Sequence, residues 1–228
     1  MNKIVFDDLK NIKQINMLGS ESTLYTCSLN NRLYLYKQPN DYTKELANKM
    51  SDLININSNY LITPKHIIYG SNYQKPVGYL IEYLEDYQSL YYLKKSQDDI
   101  INILKKVKEA IIEMHKLGII HCDLHPANIM SNKDNIKIID FDTSKYLNHH
   151  PRHYNQYSAK YLENNRLNKA IDIYNFNIDT LSCIYNISWC DIFNFDNIIN
   201  LNEEQQKVWQ KTKEKKELTY DDFLIDRY

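Results

Sequence analysis

The chain is poor in glycine: its 228 residues include 4 glycines, against 20 tyrosines. Together with abundant Asn, Ile and Lys, this bias is typical of an AT-rich genome rather than of a function. Proline is also scarce, at 5 residues, and no internal repeat or Pro-, Gly- or Ser-rich linker is present. With 43% hydrophobic and 25% charged residues, the composition is that of a globular chain able to bury one sizeable core or two small ones.

Several other features are missing and narrow the function classes. The four cysteines contain no C-x-x-C pair, which argues against a zinc or redox-dithiol site and favours a reducing compartment. No run approaches the ~20 apolar residues of a membrane span, and residues 1–8 turn acidic too early for a secretory signal. The formal net charge of -1 gives no reason to expect sequence-independent electrostatic binding to nucleic acid. We therefore expect a cytoplasmic protein (or one inside a host cell, for a pathogen) without a nucleic-acid partner.

The most informative stretch is residues 121–128, His-Cys-Asp-Leu-His-Pro-Ala-Asn, followed by Ile-Ile-Asp-Phe-Asp at 138–142. Asp123 and Asn128 lie five positions apart, and Asp140 follows twelve residues later. Phosphoryl transfer needs a carboxylate to orient the attacking hydroxyl and oxygen ligands for the Mg²⁺ on the nucleotide phosphates. Asp123 is the candidate for the first task, and Asn128 and Asp140 are the candidates for the second. The alternative is a polar turn between two buried strands.

These residues resemble the protein-kinase signature H-R-D-L-x-x-x-N followed by D-F-G. The resemblance implies that Asp123 is the catalytic-loop aspartate, that Asn128 and Asp140 bind the metal, and that ATP and Mg²⁺ are the cofactors. It also implies an α+β, two-lobed fold. The small, nucleotide-binding lobe of antiparallel strands plus one helix would occupy residues 1–85, and a mainly helical, truncated catalytic lobe would occupy residues 86–228.

The pattern of side chains along the sequence is consistent with that fold. Runs of β-branched and aromatic residues predict strands at 13–18, 23–29, 32–37, 62–69 and 78–83, with a helix at 41–54 between the third and fourth. Amphipathic periodicity predicts further helices at 98–117, 170–185 and 203–215, and a short closing helix at 219–227. Five strands and one helix in that order match the small lobe of protein kinases.

The same resemblance assigns nucleotide contacts to the first third of the chain. Lys37, at the end of the third predicted strand, resembles the catalytic lysine that holds the α- and β-phosphates, and Glu45 is the expected partner of its ammonium group. The fifth strand looks like the one that enters the kinase hinge. Ile81 would border the adenine pocket, and the backbone of Glu82 and Leu84 would hydrogen-bond the base.

Four positions depart from the protein-kinase pattern. The loop over the nucleotide keeps only Gly19 of the glycines that ease close approach of backbone to phosphate. Asp142 replaces the glycine of D-F-G, and His125 stands where protein kinases usually have Lys; both features look like aminoglycoside phosphotransferases. His125 either contacts the γ-phosphate or packs within the loop. Cys122 replaces the Arg that receives an activation-loop phosphate in kinases switched on by phosphorylation.

Three functions remain open at this point. Asp172 resembles the kinase aspartate that ties the catalytic loop to the central helix, and this favours an ATP- and Mg²⁺-dependent Ser/Thr protein kinase with a protein substrate. His125 and Asp142 support the alternative of a phosphotransferase for a small-molecule alcohol. The glycine-poor loop supports a pseudokinase scaffold, but the intact set of Lys37, Asp123, Asn128 and Asp140 argues against it.

Overall fold

The computed structural model describes residues 3–15, 21–72, 74–133, 135–188, 191–194 and 200–228. The chain divides into two compact units, Met1–Asp86 and Tyr87–Tyr228. The first unit is an antiparallel-rich sheet with one helix, and the second is mainly helical, which confirms the predicted α+β class. The assignment of nucleotide binding to the first unit and of catalysis to the second stays a prediction.

The sheet of the first unit contains six strands in the order β1-β5-β6-β4-β3-β2. Their bounds are Ile4–Val5 for β1, Lys10–Ile15 for β2, Ser22–Leu29 for β3, Arg32–Pro39 for β4, His66–Tyr69 for β5 and Pro76–Glu82 for β6. Only β1 and β5 run parallel. Asn30 and Asn31 turn the β3–β4 hairpin with φ values of 50° and 62°, which Asn tolerates. Residues 16–18 of the first predicted strand lie outside the described residues.

In the described part of the first unit, the one α-helix is α1, Lys44–Leu53, and it packs on β5 and β6. It begins later than predicted because the Thr43 side chain accepts the N–H of Leu46 and thereby caps the helix. A separate apolar cluster, which includes Cys27, Tyr36 and Leu80, fills the core beneath the sheet. The sheet and helix therefore hold β4 and β6, the strands that carry the predicted nucleotide contacts, in fixed register.

The described part of the second unit contains four α-helices: α2 (Gln97–Lys116), α3 (Gln156–Leu162), α4 (Ala170–Tyr185) and α5 (Glu203–Lys213). The predictions of α2, α4 and α5 are confirmed within a few residues. Ser96 caps α2, and Gly118, with φ +79°, follows its end. Helix α4 is buried on nearly every side and contacts α2, α3 and α5. No helix in the described part of the chain is both long and apolar enough to cross a membrane.

Short strands complete the second unit. They are β7 (Gln88–Ser89), β8 (Ile119–Ile120), β9 (Ile129–Asn132), β10 (Asn135–Ile138) and β11 (Lys145–Tyr146), paired as β10-β9-β7 and β11-β8. The short closing helix predicted at 219–227 is present as two 3-10 helices, Tyr220–Asp222 and Leu224–Arg227, rather than as one continuous helix. Asn177 of α4 accepts the N–H of Leu224 and donates to the carbonyl of Asp222, both at 2.8 Å, so the backbone bonds outward to α4.

Candidate active site

A β-hairpin explains the spacing between Asn128 and Asp140. Strand β9 begins directly after Asn128, and β10 ends two residues before Asp140. The hairpin pairs Ile129 with Ile138, and the N–H of Ile139 donates to the carbonyl of Asn128 at 3.0 Å. The twelve residues therefore fold back on themselves and return Asp140 to the side of Asn128.

The Asn128 amide is held in one orientation. Its Nδ2 donates to the backbone carbonyl of Asp123 and to Nε2 of His125, both at 3.0 Å. A backbone carbonyl can only accept, so the atom facing it must be the nitrogen. The side-chain oxygen Oδ1 is consequently the atom that Asn128 would offer to a cation.

The ring of His125 lies close to both Asn128 and Asp123. Its Nε2 accepts from Asn128 and lies 3.8 Å from Oδ2 of Asp123. Burial lowers the pKa of His125, with His121 acting in the same direction, while the carboxylates of Asp123 and Asp140 raise it; the net shift is downward. A lowered pKa keeps the ring neutral, and only the neutral ring has the lone pair that the Asn128 amide needs.

The backbone before Asp123 is fixed by a buried carboxylate on α4. Oδ2 of Asp172 accepts the N–H of His121 at 2.8 Å, and Oδ1 accepts the N–H of Cys122 at 2.9 Å. Nε2 of His115 on α2 lies 3.0 Å from the same Oδ2. This confirms that Asp172 ties the catalytic loop to the start of the central helix.

Two further side chains, Ser158 and Asn175, hold the loop, and neither was predicted in this role. The carbonyl of Cys122 accepts from Oγ of the buried Ser158 at 2.8 Å, and Ser158 in turn accepts from Nδ2 of Asn175 at 2.7 Å. Cys122 has φ 67°, an uncommon conformation for a residue that is not glycine. Such backbone persists only where surrounding contacts hold it, and it concentrates at functional sites.

His121 connects the loop to the segment around Asp140. Its Nε2 lies 2.9 Å from the carbonyl oxygen of Ile139, and its ring packs against Phe141 with centroids 5.1 Å apart. Asp140 itself has φ 67°, like Cys122. The side chain of His121 therefore joins the segment that carries Asp123 to the segment that carries Asp140.

The predicted lysine and its partner occupy different surroundings in the first unit. Lys37 on β4 is 8% exposed and pairs with Leu24 of β3 and Tyr79 of β6. Glu45 is exposed at the start of α1, and among the described residues its carboxylate makes no ion pair. The buried face of α1 instead carries Lys49, which is 1% exposed. The burial of this lysine was not predicted from the sequence. The predicted Lys37–Glu45 pair is therefore not formed.

The other predicted nucleotide contacts lie on or near β6. Ile81 is buried opposite Leu35, and Glu82 is half-buried opposite Tyr34. Leu84 follows the strand and is half-buried. Gly19 lies outside the described residues.

The donor set of the second unit fits Mg²⁺. Among the described residues, no group of three or more His, Cys, Asp or Glu side chains could hold a metal ion, so a closed all-protein site is not formed there. Asn128 and Asp140 supply one amide oxygen and one carboxylate from adjacent backbone. Mg²⁺ prefers oxygen ligands and usually combines one or two protein groups with water and substrate phosphates. These two residues match that mode of binding.

Comparison with known proteins agrees with this arrangement. A family model described as the protein kinase domain matches residues 19–223. Two probable serine/threonine-protein kinases of Dictyostelium discoideum are 34% and 36% identical to the chain, each over 37% of it and over 11% and 15% of their own lengths. Mitogen-activated protein kinase kinase 7 of Arabidopsis thaliana is 25% identical over 70% of the chain and 56% of its own length.

The matched regions therefore cover about half or less of each relative, from 11% to 56%. The family match, by contrast, covers most of this chain and includes both the catalytic-loop motif and the segment around Asp140. The chain belongs to the protein kinase domain family.

Proposed function

We propose that the chain is an ATP- and Mg²⁺-dependent phosphotransferase, and specifically a Ser/Thr protein kinase. The observation that carries the proposal is the way Asn128 connects the candidate groups. Its side chain bonds to the carbonyl of Asp123, and its backbone carbonyl bonds to the residue before Asp140. These bonds connect the proposed base and the two proposed metal ligands, and a reaction governed by positioning and charge requires such a connection.

Asp123 is the proposed base. Its carboxylate would orient the acceptor hydroxyl and accept its proton, a role typically worth ~10²–10⁴-fold in rate. The frame supports this role from both sides, because Asp172 fixes the backbone before Asp123 and Asn128 fixes its carbonyl. The carboxylate, with 20% of its side chain exposed, remains accessible.

Asn128 and Asp140 are the proposed metal ligands. Mg²⁺, when bound with ATP, neutralises charge on the transferred phosphoryl group. His125 accepts from the Asn128 amide nitrogen and so leaves the side-chain oxygen of Asn128 as the atom that could bind a metal; we therefore assign His125 an orienting role. Partners that only orient a metal ligand typically contribute about 10–100-fold in metal affinity or activity.

The nucleotide would be held by residues of the first unit. We assign Lys37 to the phosphates, because it is 8% exposed on β4, between β3 and β6, and matches the position of the kinase lysine that holds the α- and β-phosphates. Ile81 and the backbone of Glu82 and Leu84 are assigned to the base, and Gly19 to the loop over the phosphates. We leave Glu45 out, because its carboxylate is exposed.

A protein substrate is favoured by the relatives, whose names are those of serine/threonine-protein kinases. The test is incubation with γ-labelled ATP and Mg²⁺, alone and with a cell lysate. Label on protein hydroxyls supports the proposal. Label only on small molecules would favour the small-molecule alcohol acceptor, and absence of transfer under all conditions would favour a scaffold. A cytoplasmic location stays a prediction.

A further inference from the structure

A tyrosine far from the catalytic loop in sequence is connected to it by hydrogen bonds. Oη of Tyr220 lies 3.2 Å from Nδ1 of His115, a residue 105 positions earlier in the chain. Nε2 of His115 lies 3.0 Å from Oδ2 of Asp172. Since Asp172 accepts the N–H groups of His121 and Cys122, the series runs from Tyr220 to the backbone that precedes Asp123.

The chemistry of the three groups fixes the direction of these bonds. Each Asp172 oxygen accepts a backbone N–H, so Asp172 acts here as an acceptor and Nε2 of His115 must carry the hydrogen that faces it. A neutral ring with its hydrogen on Nε2 has only a lone pair at Nδ1, and in that form the Tyr220 hydroxyl is the donor. Because His115 is 1% exposed, water has little access to replace that hydroxyl.

Tyr220 lies at the surface, with its ring packed on a neighbouring aromatic residue. Its ring lies parallel to Phe223, with an interplanar angle of 8°, while the residue remains 40% exposed. The surrounding segment is anchored by an ion pair of 2.6 Å between Lys108 on α2 and Asp226. The packing needs only the aromatic ring, so the hydroxyl is available for a separate task.

We infer that Tyr220 is a positioning residue for phosphoryl transfer: its hydroxyl holds His115 in the Nε2–H tautomer and so keeps Asp172 and the catalytic loop in place. This inference rests on the proposed function of the loop. Without the hydroxyl, Nδ1 of His115 loses its donor. The ring can then turn or change tautomer and present a lone pair to the Asp172 carboxylate, which weakens the hold on the loop.

The test compares Tyr220→Phe with Tyr228→Phe as the matched control. The control loses a hydroxyl from the same segment, but that hydroxyl bonds to Tyr185 and lies outside this network. Mg²⁺-dependent ATP turnover is measured in both. We expect kcat of Tyr220→Phe to fall about tenfold, equivalent to about 1.4 kcal/mol on the barrier, with KM for ATP and Tm near wild type. The control should match wild type in kcat.

Nitrogen-15 NMR of the histidine rings provides a readout that does not depend on activity. His115, assigned with a His115→Gln variant, should be a single Nε2–H tautomer in wild type and in the control, and a mixture in Tyr220→Phe. Equal kcat in the two Tyr→Phe variants, or an unchanged His115 spectrum in Tyr220→Phe, would overturn the inference. If wild type itself turns over no ATP, the proposed function fails. The NMR result still shows whether the Tyr220 hydroxyl holds His115 in one tautomer.

Discussion

Asp140 has φ 67°, which an aspartate adopts more easily than most residues but alanine does not. Replacement by Asn keeps this backbone tolerance and removes only the charge, so Asp140→Asn is the cleaner test of metal binding. We expect its affinity for ATP at saturating Mg²⁺ to fall by about tenfold or more, because even losing a group that only orients a ligand costs about 10–100-fold. Affinity without Mg²⁺ should not change.

Titration calorimetry of ATP with and without Mg²⁺ measures both quantities. Asp98→Asn is a suitable control, because Asp98 is exposed in the first turn of α2. The metal assignment would be contradicted by equal Mg²⁺-dependent affinities in Asp140→Asn and wild type.

The next prediction concerns how α4 holds the catalytic loop. Asn at position 172 has one acceptor oxygen in place of two, while two backbone N–H groups and a ring N–H require acceptors. Hydrogen bonds to charged groups contribute about 1.5–3 kcal/mol each, so we expect Asp172→Asn to lower the free energy of unfolding by about that amount. Urea unfolding measures it, and a stability equal to wild type would refute the bracing role.

The segment that follows Asp142 and continues into α3 bears on regulation. Four of its hydroxyl-bearing residues are buried, namely Thr143, Ser144, Tyr157 and Ser158. The Ser158 hydroxyl is already bonded to the catalytic loop, and Cys122 offers no cation to a phosphate. We therefore expect activity without phosphorylation of this segment.

Phosphatase treatment tests this expectation, with dephosphorylation confirmed by mass spectrometry before turnover is measured again. Turnover should stay within about twofold of the untreated enzyme. A drop of more than about tenfold, about 1.4 kcal/mol on the barrier, would show that another basic group receives a phosphate.

At the scale of the whole molecule, the sequence predicted the features that depend on local patterns. Helix α4 was predicted at its observed bounds, because it is rich in apolar residues and carries an acidic residue, Asp172, in its first turn. The candidate site was predicted from spacing, because a hairpin between Asn128 and Asp140 is a local structure that fixes their proximity.

The remaining features depend on contacts between distant parts of the chain. Ser158 reaches Cys122 across 36 residues, and Tyr220 reaches His115 across 105, and neither pair has a signature in sequence. Glu45 was predicted as the partner of Lys37 from its charge and its position in the sequence. Because Thr43 caps α1, Glu45 falls in the first turn of the helix, where its side chain is exposed. The closing segment was predicted as one helix, but it forms two 3-10 helices, and Asn177 of α4 bonds to the backbone at the break between them.

The most direct test of the account is the rate of phosphoryl transfer from γ-labelled ATP by Asp123→Asn, beside wild type and Asp98→Asn. The substituted amide keeps the shape of Asp123 but cannot take the acceptor proton, while the bond from Asn128 to the backbone carbonyl is retained. We expect transfer to be about 10²–10⁴-fold slower in Asp123→Asn alone, with ATP affinity within about twofold of wild type. Transfer at the wild-type rate in Asp123→Asn would contradict it.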